Sequence, residues 1–451
     1  MSEKNTGQHS DPDDILYRPI LHTGKEFYWT VGILLVIIIL AIYAYIHQFK
    51  SGLGVTGLNR PVTWGFYITN FVFFIGISHA GTLISAILRL VQAEWRRAIT
   101  RAAEVITVIV LFIGVANIII DLGKPDRVFN IILHGEIQSP LLWDVVSVTT
   151  YLIASSIYLY LPLIPDIALL RQKTKKRQWL YRIISLNWNN SLSQRKKLHI
   201  AIAIMAILVV PIAVSVHTVV SWVFAMTIQP MWHSTIFGPY FVVGAIFSGI
   251  AAIIIAMGII RRVYRLENYL RPVHFKNLGL LLLTMCFLWL YFTFAEYLTT
   301  YYGAEPTEMA VFYDKLSGPY AFYFWAMVLF CFVIPVPILS ISRLRTITGT
   351  IIASSSIIIG MWLERFTIVV PTLVNPRLPV EHRVYLPTWV EISIMGGCFA
   401  GFILFYVLFT KFFPIISIWE IQEGREKGVI ETKKRVESYL PDREIETLFA
   451  D

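Results

Sequence analysis

The sequence predicts an all-α integral membrane protein of about ten transmembrane helices, grouped as two four-helix bundles with two peripheral helices. Three observations carry this. Of 451 residues, 56% are hydrophobic and only 15% charged, and the mean hydropathy is +0.64, a balance found in polytopic membrane proteins rather than soluble domains. Apolar runs near the ~20 residues that cross a bilayer recur along the whole chain. Lys and Arg gather in alternate connections between those runs. In hydrocarbon each spanning segment must satisfy its own backbone polar groups, so the runs are helices.

The predicted spans are 28–46, 62–90, 102–120, 141–164, 199–226, 235–262, 276–301, 318–341, 346–370 and 388–413. The connection 89–101 carries Arg89, Arg96, Arg97 and Arg101. The connection 165–198 carries nine basic residues, from Arg171 through Lys173, Lys175, Lys176, Arg177 and Arg182 to Arg195, Lys196 and Lys197. Arg261, Arg262, Arg265, Arg271 and Lys276 follow span six, and Arg343 and Arg345 precede span nine. These are alternate loops and so share one side, the cytoplasmic one by the positive-inside rule. Residues 227–234 carry no Lys or Arg, and 302–317 carry three acids against Lys315. Both termini are then cytoplasmic. The expected organisation is a cytoplasmic segment 1–27, a peripheral helix and outer loop 28–61, a first bundle 62–226, a second bundle 227–370, an outer loop and last helix 371–413, and a charged, soluble tail 414–451.

Composition also excludes. The net charge of +9 lies between apolar segments, as topology requires, so nucleic acid is not implied. Cys286, Cys331 and Cys398 each sit inside an apolar run, with no C-x-x-C or C-x-x-C-H. This argues against covalent haem, a chain-borne iron–sulfur cluster or a disulfide framework, and no metal site is expected. Met1 to Asp14 is polar and acidic, without a signal-peptide pattern.

Polar groups inside spans are functional-site candidates by default. His79 stands in I-G-I-S-H-A-G-T (75–82) and His217 in S-V-H-T-V-V-S-W. Counting depth along each span at 1.5 Å per residue places His217 in the outer half beside Asp121, at the end of span three, and Asp144, at the start of span four. Tyr67 and Asn70 of span two join them. His79, flanked by Ser78 and Thr82, lies roughly 25 Å along span two, with Glu104 farther in. The expectation is an outer pocket of Asp121, Asp144, His217, Tyr67 and Asn70, and a polar trail through His79 and Glu104 toward the cytoplasm. For any one residue a plain helix-to-helix hydrogen bond is the competing reading. The turn I-D-L-G-K-P-D-R (120–127) adds Asp126 and Arg127, with Gly123 and Pro125 shaping it. The aromatic stretch 229–240 reads as an interfacial belt or a docking surface. Glu296, Glu364, Arg365 and Glu391 mark the later spans; Glu364 and Arg365, adjacent in sequence, are expected to point to different faces and to find partners on other helices. Gly76 and Gly81 in span two repeat the spacing of Gly244 and Gly249 in span six, a hint that the bundles are related; His79 then corresponds to Phe247.

The stretches N-R-P-V-T-W-G, I-S-H-A-G-T-L-I-S-A-I-L-R, D-L-G-K-P-D-R, S-P-L-L-W-D-V, F-A-E-Y-L-T-T-Y-Y-G and W-L-E-R-F-T-I-V-V-P resemble the NrfD/PsrC family, the quinone-reactive membrane subunits of polysulfide reductase and related complexes. The chain is most similar to ten-span members such as the larger membrane subunit of alternative complex III, although D-L-G-K-P-D-R belongs more to the general family. The resemblance implies a subunit of the prokaryotic cell (inner) membrane with no tightly bound cofactor, using menaquinone or menaquinol as substrate near the outer face. It implies an extracytoplasmic iron–sulfur protein as partner, joined by a molybdopterin-type subunit or cytochromes c, with the iron–sulfur clusters only in those partners. By this resemblance the outer pocket of the first bundle is the quinone site; counted depth then selects Asp121, Asp144 and His217, with His79 as the next station for protons, and Tyr67, Asn70, Asp126 and Arg127 as the residues that line the site. The competing classes are a secondary transporter, which repeated bundles also suit, and a structural anchor for an extracytoplasmic redox enzyme.

Overall fold

The computed structural model describes residues 14–174, 177–379 and 383–439. Residues 1–13 of the predicted N-terminal segment, Lys175, Lys176, residues 380–382 and the chain after 439 lie outside the described residues. Among the described residues ten helices are long and apolar enough to cross a membrane: span one Lys25–Ser51, span two Phe66–Leu90, span three Thr100–Asp121, span four Pro140–Lys173, span five Leu192–Ala225, span six Phe237–Val263, span seven Pro272–Gly303, span eight Ala321–Ser340, span nine Ile347–Val374 and span ten Trp389–Phe412. No strand occurs among the described residues. The protein is an all-α, multi-pass integral membrane protein. Spans four and five are longer than the apolar runs predict, because helical hydrogen bonding continues into the polar flanks.

Packing follows burial. Span two is buried along nearly its whole length, and it packs on spans three, six and nine. Spans four and five pair closely, span six packs on seven and nine, and span eight packs on nine. Spans one and ten pair with each other, and span ten leans on span three. The seams of span six with spans two and nine are narrow where glycines stand. A Cβ on Gly76 would lie 3.3 Å from Ser248 Oγ, and one on Gly244 would lie 2.6 Å from Arg365 Nη2. Small residues at such contacts let backbones approach.

Contacts gather the basic connections at one end. Arg89 and Arg96 donate to Glu420 at 2.7 and 3.0 Å. Arg97 donates to the Glu420 carbonyl at 2.7 Å, and Arg177 to the Lys411 carbonyl at 2.9 Å. The tail is a helix, Ile418–Tyr439, and its start is docked rather than free in solvent. Asp166 accepts from the backbone N–H groups of Ile418 and Trp419 at 3.1 and 2.9 Å. A carboxylate there satisfies donors that a helix start leaves open. Asp166 also pairs with Arg101, which donates to the Pro162 carbonyl at 2.7 Å. Two of the arginines counted as loop charges, Arg97 and Arg101, are therefore buried. Both point inward to these partners, which a charge count does not register.

Candidate functional site

The core of the site is a histidine pair. His79 closes the regular part of span two, and a wider π turn, Ala80–Ile84, follows at once. Such turns break the i→i+4 ladder and expose backbone groups inside a helix. Here the Ser78 carbonyl accepts from Tyr151 Oη at 3.0 Å and from Thr107 Oγ1 at 2.6 Å. Thr82 Oγ1 lies 2.5 Å from Tyr151 Oη. Gly81 permits the close approach: a Cβ there would meet the Ala103 carbonyl oxygen at 1.9 Å.

His79 Nε2 contacts the Ala213 carbonyl at 2.5 Å, so Nε2 carries the proton and donates. Its ring centroid lies 3.7 Å from that of His217 and 5.3 Å from that of Tyr151. Both histidines are fully buried. His79 Nδ1 and both ring nitrogens of His217 have no hydrogen-bond partner among the described residues. Buried polar atoms are normally satisfied, so three open nitrogens in one place make this pair the leading candidate site.

Asp144 sits on the same face of span four as Tyr151, seven residues or ~10 Å toward the far end. It is buried, and its Oδ1 has no partner among the described residues. Farther along that face, Tyr158 Oη lies 3.3 Å from Ser85 Oγ, which donates to Glu104 Oε1 at 2.6 Å. Polar side chains thus descend from Asp144 through Tyr151 and the histidines to Ser85, Tyr158 and Glu104, then reach Arg89 and Glu420 at the Arg-rich end.

The remaining predicted residues are distributed differently from the expectation. His217 does not join Asp121, but packs against His79. Depth counting separates the two histidines because it starts span two at Val62. The helix begins at Phe66, so His79 is thirteen residues in, or ~20 Å. Tyr67 donates to Gln48 Oε1 at 2.5 Å, and Gln48 donates to the Ile120 carbonyl at 3.1 Å. Asp121 lies in that neighbourhood, with its buried Oδ1 unpartnered among the described residues. Glu391, nearby, accepts from Gly57 N at 2.7 Å and from Tyr385 Oη. Asn70 accepts from Trp362 Nε1 at 2.9 Å and leaves Nδ2 open. Asp126 and Arg127 are exposed on a short 3₁₀ turn; Gly123 before them has φ 65°, which L side chains rarely adopt.

Glu364 and Arg365 find partners on other helices as expected, but the structure adds a contact the sequence did not predict. They pair with each other, Nη1 to Oε2 at 3.2 Å. Glu364 further accepts from Trp289 Nε1 at 2.6 Å, and the guanidinium lies over the Phe241 ring at 4.8 Å. The long Arg side chain folds back far enough to reach its neighbour. Sequence reasoning missed Tyr151, Tyr158 and Gln48. The first two were readable, because Asp144, Tyr151, Ser155 and Tyr158 share one helical face; Gln48 at the end of an apolar run gave no such signal.

A multi-pass membrane protein with a buried, incompletely satisfied histidine–carboxylate–tyrosine site is the class these features define. The family model described as polysulphide reductase, NrfD, matches residues 54–376, and the chain belongs to that family. It is 25% identical over 248 residues to a provisionally named dimethyl sulfoxide reductase membrane subunit of Halobacterium salinarum, spanning 54% of this chain and only about half, 55%, of that relative. It is 24% identical to a selenate reductase subunit of Mesobacillus selenatarsenatis, over 87% of this chain and 95% of the other. It is 24% identical to an Hdr-like menaquinol oxidoreductase integral membrane subunit of Archaeoglobus fulgidus, over 91% and 99%.

Proposed function

We propose that this chain is the quinone-handling membrane subunit of a respiratory electron-transfer complex, with menaquinone or menaquinol as its substrate. The observation that carries the reading is the His79–His217 pair with three open ring nitrogens, below the unpartnered Asp144. A quinol loses two protons with its two electrons, so its site needs bases within hydrogen-bond reach. His217, held against His79, and Asp144 are those bases. Tyr151 orients the pair through Ser78 and Thr82. Asp121, Tyr67 and Asn70, with Gln48 and Glu391, form a second polar group between this site and the loops of the far end. Asp126 and Arg127 lie on the surface there. We assign that end to the outside, where an iron–sulfur protein exchanges electrons with the substrate and a molybdopterin-type subunit or cytochromes c complete the complex. The Arg-rich end then faces the cytoplasm of a prokaryotic cell.

The test is quinone-linked turnover by the native complex carrying His217→Gln or Asp144→Asn. Loss of a positioned base lowers turnover roughly 10²–10⁴-fold, with subunit assembly intact. Unchanged turnover in both variants would falsify the assignment.

The polar descent to Glu104 favours a second reading within the first, that protons cross the membrane with electron transfer. In proteoliposomes His79→Ala and Glu104→Gln are expected to lower the proton-to-electron ratio. An unaltered ratio removes this reading and leaves the quinone site standing.

A further inference from the structure

A large cleft, none of whose lining residues belongs to the histidine site, opens between spans two, six and ten. Its volume is about 880 Å³, within the range of sites that enclose a whole small molecule. One wall is a stripe on span six, Ala252, Ala256, Ile259 and Val263. The facing wall is Phe399, Phe402 and Tyr406 of span ten, and Phe73 and Ile77 of span two form the floor. From Ala252 to Val263 the wall runs eleven residues, ~16 Å. That matches one leaflet, half of a ~30 Å hydrocarbon core.

The mouth is chemically different. Arg18, His22, Arg265 and Lys411 line it, all at the Arg-rich end. Arg18 and Arg265 are exposed, and neither has a hydrogen-bonding or ion-pair partner for its guanidinium among the described residues. Lys411 donates to the Pro19 and His22 carbonyls at 2.8 and 2.9 Å, which holds the short helix Asp14–Leu21 over the opening. Among the described residues Glu26 is the one acid lining the cleft.

We infer that this cleft is a binding site for one anionic glycerophospholipid, its phosphate at Arg18, Arg265 and Lys411 and its acyl chains against spans two, six and ten. Basic pockets between transmembrane helices take anionic head groups in this way. A second quinone fits the lining less well. The deep part is mostly hydrocarbon, and the two tyrosine hydroxyls on the lining are engaged: Tyr264 Oη with Thr410 at 2.7 Å, and Tyr406 Oη with the Ala102 carbonyl at 3.3 Å. A quinone ring there would leave its carbonyl oxygens unpaired.

The full chain in detergent is titrated with phosphatidylglycerol or phosphatidylcholine, and bound lipid is counted by native mass spectrometry. One phosphatidylglycerol is expected to bind in preference to phosphatidylcholine. Arg18→Gln with Arg265→Gln is expected to weaken it roughly thirtyfold, and the corresponding Lys pair to restore most of the loss. Ala256→Trp, which narrows the cleft at its wall on span six, is expected to weaken retention of either lipid. Equal binding of both lipids, or indifference to the Arg→Gln pair in a protein of unchanged melting temperature, overturns the proposal. So does recovery of quinone from the cleft, or of a partner helix crosslinked across it in the native complex.

Discussion

His79 and His217 show how little a residue's identity says without its neighbours. Each alone reads as a helix-to-helix hydrogen bond in hydrocarbon; packed ring against ring at 3.7 Å with three open nitrogens, they form the pair that we propose takes up a proton. Both were legible as intramembrane histidines, but their contact was not, since it depends on how two antiparallel helices slide past each other. Tyr151→Phe tests the positioning role. The variant removes the hydroxyl bound to Ser78 and Thr82, at about 1 kcal/mol of stability, and is expected to lower quinone-linked kcat more than it raises KM. A purely structural tyrosine would leave that ratio unchanged once the melting loss is matched by temperature.

At the scale of elements, the π turn after His79 and the packing of span three on span two depend on Gly81. The motif I-S-H-A-G-T displayed the glycine, but not the Ala103 carbonyl it accommodates. Gly81→Val is expected to cost about 3 kcal/mol through overpacking, read as a lower melting temperature of the purified chain. Gly401→Ala in span ten, where a Cβ meets nothing within 4 Å, is the matched control and should change it little. The tail helix is a second element whose role lay hidden. Its charged sequence predicts solubility, yet Asp166 caps its start, and its Glu420 holds Arg89 and Arg96 from the connection after span two.

That anchor acts on the whole molecule, joining the tail to the connection after span two and to span four. Burial pushes the Glu420 carboxyl up, but Arg89 and Arg96 outweigh it and hold its pKa down to about 2, from 4.5. A depressed carboxyl stabilises the fold fully above its unfolded pKa and loses that contribution as pH falls through the folded value. Protection of the tail from added protease is therefore expected to persist at about pH 5 and above and to fail between about pH 4.5 and about 2. Glu420→Gln should lose it at neutral pH as well, at a cost of about 3 kcal/mol. Orientation belongs to this scale too. Cysteine placed at the exposed Asp126 is expected to react with an impermeant maleimide added to whole cells, while cysteine at Arg195 is expected to react only after permeabilisation.

The order of hydrophobic and basic segments alone determined an all-helical protein with ten spans, because a bilayer admits few other solutions and each run meets its length requirement locally. The same one-dimensional pattern exposed His79, His217, Asp121, Asp144 and Glu104, since a polar group in hydrocarbon is conspicuous wherever it stands. Only the tertiary structure decided which of them meet. His217 went to His79 rather than to Asp121, Glu364 to Arg365, and Arg101 to Asp166, because helix register, start points and side-chain reach fix such contacts over distances that sequence spacing does not encode.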